Sequence, residues 1–348
     1  MKFKKILSLL IFTFILSSIL VACNSGTTNS SGESNEKEGS PTDSEEKITI
    51  NIAYGNQPGE PIDQLAKKWK ELAEQKSNGK LELKLYPSSQ LGSEKDVVEQ
   101  AMMGNNVVIL TGYDFLMDYV PDVGILTAPY LTDSFEDLFY LTTTDWYKDL
   151  VSQLNGQGID IVTTNTIYGK RHLMTTTPVT KPEDLKGLKI RVPNNHVYIK
   201  SFEALGATPT PLPLADLYTS LQQGLVDGAE NPLPVLLGSK TNEVAKHLSL
   251  TEHTKIISPW ITGTSFIKTL PEEMATILKE TGDEAGEYAK GIVEEESEKV
   301  LAQFKEEGIE VHEVDLAPFK EQAKSVYDGF PNWSPNLHQT VQEILEER

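Results

Sequence analysis

Cysteine and arginine are almost missing from this 348-residue chain. The single cysteine, Cys23, makes an intrachain disulfide impossible and leaves no expectation of a thiolate-ligated metal site. Arginine occurs only at Arg171, Arg191 and the terminal Arg348, and the remaining 28 cations are lysines. The six histidines are scattered, and His247 and His253 do not share a helical face at ligand spacing, so no metal is expected. Catalytic signatures are also missing: there is no GxSxG elbow, P-loop, HExxH or EF-hand loop. "NGQGID" has two glycines at dinucleotide spacing but lacks the third, and reads as a turn. Nothing here points to an enzyme or to a cofactor. Positive charge is scarce as well, with 51 acidic against 31 basic side chains and a formal charge of -20. Such a surface argues against nucleic acid and against adhesion to anionic membranes. An anionic ligand would need a locally positive site.

The one long hydrophobic run lies at the start. "MKFKK" is a basic opening, Ile6 to Leu20 is apolar apart from Ser8, Thr13, Ser17 and Ser18, and "LVAC" follows. The run is short for a membrane span and has no basic flank after it, which fits an export signal. "LVAC" resembles a bacterial lipobox, so residues 1–22 are expected to be a lipoprotein signal peptide. Cys23 is then the lipid-modified first residue, holding the protein to the outer face of the cell membrane. Loss of the three leader lysines takes the formal charge from -20 to -23. Residues 23–46, rich in Ser, Gly, Asn and Glu, have no aliphatic or aromatic side chain to bury and read as a flexible tether. The 302 residues from Lys47 to Arg348 suggest two domains.

Hydrophobic periodicity across those residues is that of an α/β protein. "KITINIAY" and "KLELKLY" alternate with period two, while "PIDQLAKKWKELAEQ" puts its apolar residues on one helical stripe. "SEKDVVEQAMMG" is a helix capped by Ser93 and ended by Gly104, and "NNVVILTG" is a short apolar strand. Strand, helix, strand, helix, strand is the mark of a mostly parallel sheet covered by helices. The second half repeats it with strands at "GIDIVTT" and "LKIRV", helices at "HVYIKSFEALG" and "LADLYTSLQQG", and extended segments at "HLSLT" and "KIISPWITGTSFI". A helical pattern of more than thirty residues then begins at "LPEEM", long enough to brace two domains, with Gly282, Gly286 and Gly291 as possible kinks.

In "LKIRVP" the alternation puts Lys189 and Arg191 on one face, and Pro193 ends the strand just beyond Arg191. In open α/β sheets that strand end faces the ligand crevice. A guanidinium can clasp a carboxylate through two parallel hydrogen bonds, which lysine cannot do. A structural ion pair with one of the many carboxylates accounts equally for Arg191 or Arg171, and spacing leaves both readings open.

Longer stretches carry a resemblance. "LYPSSQLGSEKDVVEQ", "YGKRH", "KPEDLKGLKIRVPN", "GATPTPLPLADLYTSLQQGLVDGAENP" and "LPEEM" follow in that order, and with them the chain resembles the DctP-type solute-binding proteins of TRAP transporters from about Lys47 to its end. The resemblance implies a two-lobed, periplasmic-binding-protein-like α/β fold with a cleft between lobes and a long helix spanning both. It implies a first lobe of residues 47–168 plus 257–297 and a second of 169–256 plus 298–348. It further implies a monomeric carrier that closes on a small organic acid, a sugar acid or dicarboxylate, and delivers it to a TRAP membrane permease. In this pattern Arg191 binds the ligand carboxylate, Arg171 assists, and Asn231 in "DGAENP" adds a polar contact. Asn194 and Glu230 are further candidates, although Glu230 could equally be an exposed loop carboxylate. The loops "AYGNQPGE" and "LTGYDF" are expected to face the cleft, which makes Tyr54, Asn56 and Tyr113 candidates from the first lobe. Two other functions fit a lipid-anchored acid binder: a surface enzyme acting on acidic sugars, and a receptor presenting its ligand to a sensor kinase.

Overall fold

A computed structural model describes residues 47–348. The expected signal peptide, the lipidation site Cys23 and the tether lie outside the described residues. Four strands open the chain: β1 (Ile48–Ala53), β2 (Leu81–Tyr86), β3 (Val107–Leu110) and β4 (Ile159–Thr163). Five more follow: β5 (Ile167–Thr175), β6 (Lys189–Val192), β7 (Thr208–Pro211), β8 (Gly228–Asn231) and β9 (His247–Ile257). The chain then makes β10 (Trp260–Gly263), the helix Glu272–Glu306 and β11 (Glu310–His312). The first sheet has the order β2-β1-β3-β10-β4, and the second β11-β9-β5-β8-β6-β7. The polypeptide therefore passes between sheets at β4–β5, at β9–β10 and along the long helix.

Local sequence accounts for most elements. The alternation in β1 and β2 buries Ile50, Ile52, Leu81 and Leu83, and the two strands pair in parallel from Ile48 opposite Leu81. Ser93 caps the helix Glu94–Met102 by accepting from the backbone N–H of Asp96, whose carboxylate accepts from Ser93 in return. This reciprocal arrangement satisfies two otherwise unpaired donors. Each face of the first sheet carries its own apolar layer, one around Ile109 and Ile125 and the other around Trp69 and Trp260.

The C-terminal segment departs from the expected lobe boundary. Trp333, Leu337 and Val341 join the first sheet's core beside Leu138 and Leu141 rather than packing with the second lobe. The helix Leu337–Glu346 is amphipathic, and its apolar stripe finds the uncovered side of Leu138 and Leu141. Sequence proximity to β11 gave no sign of this return.

The helix Glu272–Glu306 runs unbroken through 35 residues. Its first half packs Leu278 and Ala285 with Trp69, and its last turns pack Val300 and Phe304 with Met174 and Leu248 of the second sheet. The expected glycine kinks are instead points of close approach. A Cβ on Gly282 would sit 2.9 Å from Thr163 Cγ2, and one on Gly286 only 1.6 Å from the carbonyl oxygen of Asn165. The absent side chains let the helix lie directly on the β4–β5 crossover, where Asn165 Nδ2 donates to the carbonyl of Asp283 over 2.9 Å. Gly291 touches nothing within 4 Å.

Two substitutions separate these roles. Gly286→Ala should force helix and crossover apart and cost about 1–3 kcal/mol. Gly291→Ala should gain roughly 0.5–1 kcal/mol from helix propensity. Urea unfolding of both variants checks the pair, and equal effects would contradict the tight contact at Gly286.

Candidate functional site

A cavity of about 340 Å³ lies between the two sheets. Its first-lobe wall comes from the loops that follow β1 and β3 and from the N-terminal turn of the helix Glu94–Met102, and its second-lobe wall from β5, β6 and β8. Beside the cavity, Asn195 Nδ2, from the loop after β6, donates to the carboxylate of Asp114, from the loop after β3.

Arg191 sits in β6 between Thr210 of β7 and Ala229 of β8, and is buried. Its Nε and one Nη both donate to the carbonyl of Leu212, at 2.9 and 2.6 Å, which locks the plane of the fork. No carboxylate pairs with it among the described residues, and the guanidinium lines the cavity. Burial pushes its pKa down to about 10, with Arg171 adding to the effect and Glu230 opposing it. Even so depressed, it stays cationic at neutral pH.

Arg171, in β5, is also buried and lines the cavity, but its charge is met. Glu230 of β8 takes it in a two-point ion pair, with one Nη 2.6 Å from Oε1 and Nε on the other oxygen. The same Nη donates 3.0 Å to the Glu230 carbonyl. Burial opposes the Arg171 charge, yet its pKa is raised, with Glu230 the leading cause of the rise and Tyr198 and Tyr168 adding to it. Glu230 is itself fully buried, and Arg171 together with His253, 3.2 Å away, holds it below the usual carboxylate range despite desolvation. The Tyr198 ring stacks over the guanidinium, 4.7 Å from its carbon to the ring centre.

Of the expected residues, the structure brings Arg171, Arg191, Asn194, Asn231 and Asn56 to the cavity. Glu230 is neither an exposed loop carboxylate nor a wall residue; it is the buried partner of Arg171. Tyr54 and Tyr113 belong to the core. The Tyr54 hydroxyl donates 2.7 Å to Asp63 beneath the sheet, and the Tyr113 hydroxyl shares a 2.7 Å hydrogen bond with Tyr147. Gly55 and Asn56 of the first loop, and Asp114 and Phe115 of the second, line the cavity, while the two tyrosines are in the core.

Sequence reasoning missed Glu94, Asp114, Tyr168 and Tyr198, which also line the cavity. Glu94 Oε1 accepts from Thr111 Oγ1 at 2.8 Å and from the Gly112 N–H at 2.9 Å, and desolvation raises its pKa against those bonds. Burial, reinforced by nearby Glu94, pushes Asp114 up to about 8. Two buried polar atoms at this cavity, Tyr198 Oη and Asn231 Nδ2, have no hydrogen-bond partner. A hydroxyl-bearing acid could engage the fork of Arg191, these two unsatisfied atoms and the first-lobe carboxyls together.

Comparison with known proteins decides the family. The model of bacterial extracellular solute-binding protein family 7, DctP, matches residues 52–332. The chain belongs to that family. It is 32% identical over 291 residues to the C4-dicarboxylate-binding periplasmic protein DctP of Rhodobacter capsulatus, covering 81% of this chain and 86% of the relative. A TRAP periplasmic solute-binding protein of Actinobacillus succinogenes, solved with bound L-galactonate, is 45% identical with a TM-score of 0.85, covering 86% of this chain and 100% of that one. Another from Ochrobacterium anthropi, with bound L-fuconate, is 45% identical with a TM-score of 0.84, covering 86% and 99%. This DctP-family chain is thus an extracytoplasmic solute-binding protein of the TRAP type, with two α/β lobes joined by a long helix, and not an enzyme.

Two measurements test the electrostatics of this DctP-family site. Glu230→Gln leaves Arg171 buried without its counter-charge and should cost about 3–5 kcal/mol in urea unfolding; an unchanged midpoint would refute the pair. Asp114 ionises near 3.8 in the unfolded chain and near 8 when folded. The unfolded state therefore loses its proton first, and this group's contribution to stability falls as pH rises from about 4 to about 8. Wild type should lose stability relative to Asp114→Asn across that window, whereas a constant difference would mean an ordinary carboxyl.

Proposed function

We propose that the protein captures a hydroxylated monocarboxylic acid of the sugar-acid class by closure of its two lobes and delivers it to a TRAP membrane permease. One observation carries this: a buried guanidinium, Arg191, lines the cavity, and no carboxylate among the described residues pairs with it. A ligand carboxylate supplies the missing charge in a two-point clasp. Arg171, its charge met by Glu230, fixes the ring of Tyr198 beside the fork. Asn231 and Tyr198 offer unsatisfied polar atoms to ligand oxygens, and Asn194 and Asn56 add polar contacts from the rim and the first lobe.

The opposite wall favours hydroxyls over a second acid group. Glu94 and Asp114 accept hydrogen bonds from ligand O–H groups, while a second carboxylate there would meet like charge or force further protonation. The relatives with bound L-galactonate and L-fuconate support the same class. Closure follows because contacts to both walls form together only when the lobes meet, so ligand stabilises the closed state. The lobes divide at the β4–β5 and β9–β10 crossings, with the final helix assigned to the first. Cys23, carrying lipid after removal of residues 1–22, tethers this carrier to the outer face of the membrane through residues 23–46.

Calorimetry with aldonates, uronates and C4-dicarboxylates tests the reading. Arg191→Ala should weaken sugar-acid binding on the order of a hundred- to several-thousand-fold, the equivalent of losing a buried charge partner at about 3–5 kcal/mol. The unliganded variant should remain folded, because removing an unpaired buried cation relieves a desolvation cost. Undiminished affinity in Arg191→Ala, or a preference for dicarboxylates, would overturn the assignment.

A further inference from the structure

Outside the ligand cavity, three potential metal ligands converge on the edge of the second sheet. His247 opens β9, and Glu310 and His312 lie in β11, which pairs with β9 in parallel, Glu310 opposite His247 and His312 opposite Ser249. Residues in register, and residues two apart on one strand, face the same side of a sheet. All three side chains therefore meet on one face, and they form the one such group among the described residues. His247 Nδ1 lies 3.3 Å from His312 Nε2 and 3.4 Å from Glu310 Oε2, and His312 Nε2 lies 3.9 Å from Glu310 Oε1. The ring centres are 5.5 Å apart while the two nitrogens are 3.3 Å apart, so the nitrogens occupy the facing edges of the imidazoles. Both imidazoles are largely covered and the carboxylate is open to solvent.

We propose that His247, Glu310 and His312 bind a zinc ion at this edge, with water in the fourth position. Zinc bonds of about 2.0–2.1 Å in a tetrahedron place neighbouring ligand atoms roughly 3.3–3.4 Å apart. His247 Nδ1 stands at this separation from both His312 Nε2 and Glu310 Oε2. The 3.9 Å to His312 Nε2 is from the other carboxylate oxygen, Oε1, so a rotation of the exposed Glu310 side chain must bring one oxygen within reach of both imidazoles. A square-planar copper site would need neighbours at about 2.8–2.9 Å from similar bond lengths, closer than any pair here. Calcium and magnesium prefer all-oxygen ligand sets, and two imidazoles disfavour them. No local pattern marks this cluster, because the histidines stand 65 residues apart and meet only through strand pairing.

The ion would tie β11, a strand of only three residues, to β9, and with it the C-terminal end of the long helix. It acts on the scaffold and leaves the ligand cavity untouched, so its test is separable from that of the proposed function. Chelator-treated mature protein, titrated with zinc chloride by calorimetry, should take up one equivalent and show a higher unfolding temperature. His312→Gln and the more conservative, exposed Glu310→Gln should each weaken zinc binding by at least tenfold and shrink the thermal shift, with organic-acid affinity unchanged. Cobalt(II) should give the intense visible bands of a tetrahedral site in wild type and lose them in His312→Gln. No stoichiometric zinc uptake, or uptake equal in wild type and both variants, would overturn the site and leave a hydrogen-bonded imidazole pair.

Discussion

Arg191 carries a positive charge into the interior of a β-sheet, where removal from water costs far more than at the surface, and the surrounding structure is arranged around that charge. The Leu212 carbonyl fixes its plane, β7 and β8 hold its strand on both sides, and no carboxylate among the described residues forms an ion pair with it. The neighbouring Arg171 would make matters worse were it not neutralised, which is the work of Glu230 and, behind it, His253. One guanidinium is thus spoken for and the other is held in readiness. In a chain with a formal charge of -20, this leaves a locally positive point in the cavity wall.

That arrangement needs two rigid walls and a way to bring them together. The sheets supply the walls, and three passages of chain between them set their relation. The long helix is the stiffest passage, seated against the β4–β5 crossover at Gly282 and Gly286, where a side chain would hold it off. The same packing explains why glycines that weaken a helix in isolation are retained in a continuous one: what they cost in propensity they return in contact with Trp69, Thr163 and Asn165.

Much of the fold was legible because it is local. Period-two alternation marked β1, β2 and β6, caps marked the helix after Ser93, and the two arginines stood out by scarcity. Strand β8 was not legible: "GAEN" has no alternation and no β-branched residue, and only pairing with β5 and β6 makes it extended. "TSFI", expected to continue an extended run, closes into a short helix after β10. Tyr54 and Tyr113 failed for a related reason. Which side of a loop faces a cavity depends on backbone direction beyond the strand end, and periodicity carries no information there.

The chain's own sequence determined the alternating α/β character, the capped helix after Ser93, the family and the candidacy of Arg171, Arg191, Asn194 and Asn231, because each rests on residue type at short spacing. Tertiary structure alone decided which arginine is paired and which is free, that Glu230 supports the site from behind, and that Glu94, Asp114 and Tyr198 complete the walls. It also decided that the last helix returns to the first sheet and that His247 meets His312. Those outcomes depend on which strands become neighbours, and neighbours brought together across tens or hundreds of residues are set by the packing of whole sheets, which no local pattern encodes.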